Sequence, residues 1–248
     1  MVTFSECAWQ RLSVRRGYAG AMRVVVSVGG SVLVPTLESG RIREYARMLS
    51  EVAGAGHEVG VVVGGGPVAR EYIEAGRELG ADEISLDQLG IAATRLNARL
   101  LIAALGEEAV TEPLRTFERA DEAFRRGEIP VMGGTVPGHT TDTVATALAE
   151  RVGADRVIYA TSVSGVFDAD PKTAAESTKF TQLSPAELVE VIVQVNSAAG
   201  SNAPVDLLAA KLLERSGMHA VVLDGTEPER VGEAITGDHT GTAIRPEQ

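Results

Sequence analysis

The sequence predicts an α/β fold, a three-layer sandwich with helices on both faces of a mainly parallel central sheet. Short Val-rich segments, such as Arg23–Val28 and Glu58–Val63, alternate with longer segments in which apolar residues recur at helical spacing. Continuous apolar strands are typical of parallel sheets that are covered on both sides. Hydrophobic residues make up 44% of the 248-residue chain but aromatic residues only 4%, so Val, Ala and Leu must fill most of the core. The alternation also implies right-handed crossovers between parallel strands.

In the first half of the chain, each predicted strand ends in glycines. The strands are predicted over 23–28, 58–63 and 129–132, and they end at Gly29-Gly30, Gly64-Gly65-Gly66 and Gly133-Gly134. Apolar residues at helical spacing predict helices at about 38–53, 68–79, 82–105 and 116–126. A further helix is expected to begin at Thr140–Asp142, where small polar residues provide a cap.

The second half continues the alternation and adds a polar segment. Strands are predicted over 156–160 and 219–223, with irregular structure after the first of them. Ser184 and Glu187 form a capping box around a proline at the first helical position, which predicts a helix to about Val193. A Ser/Gly/Asn-rich loop at 196–202 precedes a predicted helix over 205–215, and residues 237–244 are expected to form a loop and a short edge strand.

Residues 1–21 do not fit the pattern of the rest. They place Arg11, Arg15 and Arg16 in an otherwise acidic protein, and they show no hydrophobic period. They are either a disordered or non-native extension or sequence upstream of a true start at Met22; we favour the second. Residues 22–248 are long enough for one large α/β domain or for two lobes that share a sheet.

Composition excludes several classes of function. A formal net charge of −11 and a pI near 4.9 argue against a nucleic-acid or membrane-surface partner, which would need a basic patch. Only three of the 23 Lys and Arg residues are lysines. An acidic, lysine-poor surface resembles that of proteins from salt-accumulating archaea. The alternative is that the acidic residues serve ordinary solubility. The single Cys7 rules out a disulfide framework, and the histidines show no metal-ligand spacing. Because no apolar run approaches bilayer length and no signal pattern is present, we expect a cytoplasmic protein.

The three glycine turns predict a phosphate-binding edge. The carboxyl ends of parallel strands lie at one edge of a sheet, where ligands bind in open α/β folds. The loop from Thr135 to Thr141 adds hydroxyl donors and ends at a helix N-terminus, whose N–H groups attract anions. Glycine is expected in the turns because a side chain would keep a ligand from the backbone. The plain alternative for the last segment is a turn with a capped helix.

Other nucleotide motifs fit less well. Gly64–Ala69 satisfies G-x-G-x-x-A, but a dinucleotide site also needs an acidic residue at a strand end about 20 residues later. Glu83 and Asp87 occupy that region within helical sequence. The chain has no P-loop, no HRD or DFG motif of protein kinases, and no G-x-S-x-G nucleophile motif.

Five segments together resemble the amino-acid-kinase superfamily: SVGGSVL, VVVGGGPVAREYIEAG, VMGGTVPGHTTDTVA, YATSVSGVFDADP and VDLLAAKLLERSG. The resemblance covers 22–245 and, through GGTVPGHTTD, is closest to the uridylate (UMP) kinases of archaea. It implies the amino-acid-kinase fold and ATP-dependent phosphorylation of UMP to UDP in pyrimidine biosynthesis, with Mg²⁺ carried by the nucleotide. It also implies a homohexamer (a trimer of dimers), an acceptor-binding lobe over about 22–153 and an ATP-binding lobe over about 154–248.

The resemblance assigns most predicted contacts to the turns and loops. Without it, Arg70 is equally a surface arginine, a helix-surface carboxylate is the better interpretation of Asp87, and His139 equally shapes its loop. The residues implied to contact ATP are Gly30, Ser31, Gly66, Arg70, Thr161, Ser162, Phe167 and Asp170. Those implied to contact UMP are Gly65, Asp87, Thr135, Val136, Pro137, Gly138, His139, Thr140 and Thr141.

Catalysis is assigned by the resemblance to Asp142 and Lys211, with Gly30 and Ser31 beside the transferring phosphates. In the family, an Asp at the position of Asp142 organises cationic side chains around the phosphoryl group. Phosphoryl transfer needs positioning and charge compensation rather than a covalent nucleophile. Lys211 is a lysine in a chain that otherwise uses arginine, which favours a specific role, although a solvated lysine is an equal alternative. No protein ligand for a metal is predicted.

Two departures from the family pattern leave other functions open. Ser27 stands where many members have a lysine on the first strand, and Ser162, Ser164 and Phe167 stand where relatives often have Asn, Asp and Tyr. Other cations and backbone N–H groups would have to replace the missing positive charge. The alternatives are a sister kinase for another small phosphate or carboxylate, and a non-catalytic nucleotide- or anion-binding protein.

Overall fold

The central sheet is confirmed and is mainly parallel. The structure, a computed structural model, describes residues 20–169, 171, 174, 176–197 and 203–246. The expectation for the N-terminal segment therefore lies almost wholly outside the described residues, as do Asp170 and most of the loop at 196–202. Within the described ranges, seven strands form one sheet in the order β3-β2-β1-β4-β6-β7-β5; β6 and β7 pair antiparallel and the other neighbours pair parallel. They are β1 (Arg23–Val28), β2 (Glu58–Val63), β3 (Val131–Met132), β4 (Arg156–Thr161), β5 (Gln182–Leu183), β6 (His219–Asp224) and β7 (Thr242–Ile244).

Helices cover the sheet in two layers. The helices are α1 (Gly30–Leu33), α2 (Ser39–Gly54), α3 (Gly66–Glu78), α4 (Glu83–Leu105), α5 (Phe117–Arg126), α6 (Thr141–Val152), α7 (Pro185–Ser197), α8 (Leu207–Ser216) and α9 (Pro228–Thr236). α2, α4 and α9 pack together and contact the strands, whereas α5, α6 and α8 form a second packed group. The side chains of β1 are buried on both faces of the strand, which requires cover from both sides.

Local capping explains where several helices begin. The side chains of Asp82, Thr116, Thr140 and Asp206 each accept a hydrogen bond from a backbone N–H in the first turn of the helix that follows. The predicted capping box is present: the Ser184 N–H donates to the Glu187 carboxylate, and the Glu187 N–H donates to the Ser184 hydroxyl. These caps satisfy N–H groups that have no partner within the helix.

The structure corrects several of the predicted elements. β3 begins at Val131, two residues later than predicted. The strand over 242–244 was expected at the sheet edge, but β7 lies between β6 and β5, and the edge is the unpredicted two-residue β5. α7 continues past Val193 to Ser197 because no helix breaker intervenes. α9 was not predicted, although Val231, Ala234 and Ile235 form its buried face. The first glycine turn continues into α1, a single helical turn.

Helix α4 corrects the expectation that no segment is long and apolar enough to span a membrane. Residues 83–108 meet that criterion by length and hydropathy. In the fold, however, α4 lies against β2, β3, α2 and α3. Its Ala98, Leu101 and Leu105 side chains are buried in the protein core, so part of its apolar surface serves internal packing. Its Ile84, Leu96 and Leu100 side chains are exposed.

Candidate active site

The three glycine turns lie along one edge of the sheet, as the sequence predicted. β1, β2 and β3 are parallel neighbours, so their carboxyl ends point to the same side. The first turn follows β1 at 29–31, the second follows β2 at 64–66, and the third follows β3 at 133–134. The edge is the carboxyl-terminal one, where open α/β sheets bind ligands.

The first and second glycine turns press directly against each other. A Cβ on Gly30 would lie 2.6 Å from the carbonyl carbon of Gly64 and would also collide with Gly65 and Gly66. A Cβ on Gly66, whose φ is +61°, would lie 2.8 Å from the Ser31 nitrogen. The expected reason for glycine here was room for a ligand. The structure corrects it: the close approach of two backbones already excludes a side chain.

Helix α4 holds the second turn and the loop after β3. The buried Asn97 side chain donates to the carbonyl oxygens of Gly64 and Gly65 at 2.9 and 3.0 Å. Thr94 accepts from the Gly134 N–H at 2.7 Å. Arg95 donates to the carbonyl oxygens of Gly134 and Thr135 at 3.1 and 3.3 Å. Sequence reasoning did not identify these three α4 side chains.

The Asp87 side chain contacts the backbone of the predicted acceptor loop. The Asp87 carboxylate accepts from the Gly138 N–H at 2.7 Å and so fixes the middle of the loop. Thr135, Pro137 and Thr141 are partly buried. Val136, Gly138, His139 and Thr140 are exposed. The loop thus reaches solvent in the middle and is anchored to α4 at several points.

Asp142 lies in the first turn of α6 and contacts Ser27 directly. The Ser27 hydroxyl, on buried β1, donates to the Asp142 carboxylate at 2.7 Å. Burial raises the pKa of Asp142 to about 7; the Ser27 hydrogen bond opposes this shift and the neighbouring Asp206 carboxylate adds to it. In the described part of the chain, no ion pair neutralises Asp142. Ser27, which stands where the family resemblance led us to expect a lysine, is therefore a neutral partner of this carboxyl group.

Asp206 connects α8 to the start of α6, and the sequence reasoning missed it. Its carboxylate caps α8 through the Ala209 N–H at 3.0 Å. It also accepts from the hydroxyls of Thr140 and Thr143, the latter at 3.0 Å. The available sequence signal was an Asp immediately before a helix, but that pattern predicts only a cap. The contact with α6 joins the predicted acceptor loop to the second half of the chain.

The structure does not bring Lys211 to Asp142. The Lys211 ammonium pairs with Glu214 at 2.8 Å, one turn along α8, and half of its side chain is exposed (51%). The alternative of a solvated lysine thus describes its position here, and the role in catalysis implied for Lys211 stays a prediction. Arg70 lies exposed near the start of α3, close in sequence to the second glycine turn.

A cavity of about 280 Å³ opens beside the first glycine turn and Asp142. It is bounded by the segment after β4, by α7 and by residues 203–204. Four of the residues predicted to contact ATP line it: Ser31, Thr161, Ser162 and Phe167. Val191, Ile192 and Val195 of α7 provide an apolar wall that the sequence did not predict. The cavity is therefore apolar at one end and reaches the glycine turn at the other.

No metal-binding cluster of three or more His, Cys, Asp or Glu side chains is found within the described ranges. Mg²⁺ in phosphotransferases is bound largely by substrate phosphates and water, with few protein ligands. The side chains around the cavity therefore fit an ion that enters with a nucleotide better than an ion held by the protein alone.

Comparison with known proteins identifies the family. The model of the amino acid kinase family matches residues 22–224. The chain belongs to the amino acid kinase family. It is 56% identical over 227 residues to the uridylate kinase of Natronomonas pharaonis, covering 92% of this chain and 100% of that protein. It is 47% identical over 225 residues to the uridylate kinase of Methanocaldococcus jannaschii, covering 90% and 99%.

The amino acid kinase fold is also found by structural comparison. The crystal structure of uridylate kinase from Archaeoglobus fulgidus matches with a TM-score of 0.80 and 48% sequence identity, covering 90% of this chain and 100% of that one. Membership in the amino acid kinase family confirms the resemblance carried by the five glycine-containing segments. It also accounts for the mainly parallel sheet with helices in two layers.

Proposed function

We propose that this member of the amino acid kinase family transfers the γ-phosphate of ATP to UMP, giving ADP and UDP. The observation that carries the proposal is that a cavity and a polar loop adjoin Asp142 at one sheet edge. The cavity lies beside Gly29 and Ser31, and the loop leads from Gly134 to the cap of α6. Two relatives similar over nearly their whole length bear the name uridylate kinase.

ATP would occupy the cavity with its base against the apolar wall. Phe167 and the α7 side chains Val191 and Val195 offer a surface on which an aromatic base can pack. Thr161 and Ser162 follow β4 and would contact the ribose or base. The triphosphate would then extend toward Gly30 and Ser31, where backbone N–H groups can receive it.

UMP would lie along the loop after β3, on the other side of the glycine turns. The loop residues from Thr135 to Thr141 would bind the phosphate and uracil, and Asp87 would receive the ribose hydroxyls in addition to its bond from Gly138. In this arrangement the two phosphate groups meet over the adjoining turns at 29–31 and 64–66. Residues 22–153 then act as the acceptor lobe and 154–248 as the ATP lobe.

The reaction would be a direct, in-line phosphoryl transfer. An oxygen of the UMP phosphate attacks the γ-phosphorus of ATP and forms a new P–O bond. The bond from that phosphorus to the β–γ bridging oxygen breaks, and ADP leaves with the electron pair. The protein contributes orientation and electrostatic stabilisation. Mg²⁺, when bound with ATP, supplies charge neutralisation for the phosphates.

Asp142 would organise positive charge at the point of transfer. Its carboxyl group lines the cavity and is held by Ser27. Arg70 and Lys211 are the side chains we propose to approach the phosphates once both substrates are bound. Lys211 must then leave Glu214, an exposed pair of small energetic value. We further propose a cytoplasmic homohexamer, a trimer of dimers, that acts in pyrimidine nucleotide biosynthesis.

Acceptor profiling tests the proposed function. ADP release is measured in molar KCl with Mg²⁺ and ATP, with UMP, CMP, isopentenyl phosphate, glutamate and carbamate offered in turn. We expect the highest kcat/KM with UMP and formation of UDP in equal amount to ADP. Faster turnover with a non-uridylate acceptor would make the protein a sister kinase. Tight nucleotide binding without UDP formation at any salt concentration would make it a binding protein.

A further inference from the structure

Asn97 is an unusual residue for its place in the fold. It lies in the middle of α4, between the buried Ala93 and Leu101, and only 1% of its surface is exposed. Asn is a weak helix former, and burial of its amide is costly without hydrogen-bond partners. Both of its donated bonds go to one place, the carbonyl oxygens of Gly64 and Gly65. The side chain therefore serves the second glycine turn rather than its own helix.

These two bonds determine the orientation of two consecutive peptide groups. The Gly64 carbonyl belongs to the same peptide unit as the Gly65 N–H, and the Gly65 carbonyl to the same unit as the Gly66 N–H. In a trans peptide, the carbonyl and the N–H point in opposite directions, and no peptide bond in the described residues is cis. With both carbonyls directed to α4, both N–H groups are directed away from it.

The side of the turn away from α4 is the side of the proposed reaction. Backbone atoms of Gly30 and Ser31 lie directly against Gly66 there. In the described residues no protein acceptor is found for the N–H of Gly65 or Gly66. Successive N–H groups without partners form a concave anion site of the kind that binds phosphate.

We propose that Asn97 is a positioning residue, which holds the N–H groups of Gly65 and Gly66 toward the phosphate that is transferred. This role rests on the proposed phosphotransferase function and adds a residue that touches neither substrate. Without Asn97 the two peptide groups can rotate, and fixed donors lose the advantage of being oriented before the reaction. The effect should therefore fall mainly on kcat.

Two substitutions separate orientation from simple loss of packing. Asn97→Leu keeps most of the side-chain volume, excludes water and removes the donor. Asn97→Ala leaves room in which a water molecule can donate to the same carbonyl oxygens. The matched control is Leu101→Val, which trims a buried side chain on the next turn of α4 and does not reach the glycine turn. Thermal unfolding of all three variants records the stability cost.

Steady-state kinetics provides the first readout. We expect Asn97→Leu to lower kcat at least about tenfold, with KM for ATP and UMP changed less than about threefold. Asn97→Ala should retain a higher kcat than Asn97→Leu. The control Leu101→Val should keep a kcat within about twofold of wild type, although its unfolding temperature is similar to that of the Asn97 variants. A wild-type kcat in Asn97→Leu, or an equal loss in Leu101→Val, would overturn the proposal.

Hydrogen–deuterium exchange provides a readout that does not depend on the acceptor. Exchange of the peptide covering 61–69 is measured with and without Mg²⁺ and AMP-PNP, an ATP analogue that cannot transfer its phosphate. In wild type the analogue should slow exchange there, and in Asn97→Leu it should not. Equal protection in both proteins would overturn the role of Asn97. Failure of wild type to phosphorylate UMP would instead refute the proposed function and leave this measurement valid.

Discussion

At the scale of single residues, Asp142 combines a proposed role in catalysis with an unfavourable site for a charge. Its carboxyl group is enclosed between β1, α6 and α8, with Ser27 as donor and Asp206 as a neighbouring negative charge. Burial, with a smaller contribution from the Asp206 charge, raises its pKa from 3.8 to about 7 against the opposing effect of the Ser27 hydrogen bond. A protein that keeps such a group sacrifices stability, which is common where a side chain serves function.

Replacing Asp142 with Asn should stabilise the protein and reduce its activity. Between the ordinary pKa of 3.8 and the raised value of about 7, the folded state binds more protons than the unfolded state. Stability from this group is therefore present at low pH and is lost as pH rises through 7. Because Asn does not ionise, the melting-temperature difference, Asp142→Asn minus wild type, should grow from pH 5 to pH 8 by a few °C. Over the same range kcat should be at least about tenfold lower.

Thermal scans at several pH values and UDP formation assays check this pair of effects. Asp155→Asn serves as the control, because Asp155 is a carboxylate outside the cleft whose bond to the Arg23 N–H an amide oxygen can keep. A melting-temperature difference independent of pH would contradict the raised pKa. A near-normal kcat would remove Asp142 from the mechanism.

At the scale of elements, the contact between two glycine turns positions the edge of the sheet. Gly30 meets the backbone of Gly64–Gly66 with no room for a side chain. Gly54, at the end of α2, differs: a Cβ added there would face open space, with no neighbouring side chain or loop within 4 Å. Two glycines of the same chain thus offer opposite environments for the same substitution.

Gly30→Ala should destabilise the fold, and Gly54→Ala should not. The first forces the turns after β1 and β2 apart, for which overpacking typically costs about 1–3 kcal/mol. The second adds a methyl in open space at a helical position, where Ala is favoured over Gly by up to about 1 kcal/mol. Urea unfolding measures both. Equal stability of the two variants would show that the turns can separate without cost.

Asp206 links elements that are far apart in sequence. It caps α8 and accepts hydrogen bonds from two threonines at the start of α6, 63 residues away in the case of Thr143.

Asp206→Ala should cost about 1 kcal/mol as a lost cap and should also raise KM for UMP several-fold, because the end of the acceptor loop is released. Thr116→Ala, which removes the cap of α5, is the control. If it raises KM equally, the effect of Asp206 is only general destabilisation.

The elements also show what the sequence can and cannot predict. β1 and β2 were predicted to the residue because short Val-rich segments that end in glycines leave one interpretation. The two-residue β5 carries too short a pattern to be recognised, and its place beside β7 follows from tertiary pairing. Asn97 and Asp206 were missed for the same reason, since the glycine turn that Asn97 holds and the α6 threonine that Asp206 binds lie 32 and 63 residues away. The predicted contacts of Arg70 and Lys211 depend on bound substrates. A sequence pattern predicts such contacts only through resemblance to a family.

At the scale of the whole molecule, the excess of acidic residues predicts a dependence on salt. The formal net charge is −11, and like charges repel across the surface unless they are screened. The screening length falls from about 10 Å at 0.1 M salt to about 3 Å at 1 M.

Raising KCl from 0.1 to 2 M should therefore raise the unfolding temperature at pH 8. Near pH 5, close to the pI of about 4.9, the net charge is small and the same change of salt should have a much weaker effect. Thermal scans at both pH values make the comparison. A salt effect of equal size at both would point to a general influence of salt on apolar burial rather than to screening.

The central claim is that ATP and UMP meet end to end along the edge formed by the turns after β1, β2 and β3. A crystal structure with Mg²⁺, AMP-PNP and UMP tests it most directly. We expect the γ-phosphate of the analogue and the UMP phosphate to lie over the adjoining turns at 29–31 and 64–66, with the adenine in the cavity beside Phe167. UMP bound away from residues 135–141, or the two nucleotides on different faces of the sheet, would contradict the account.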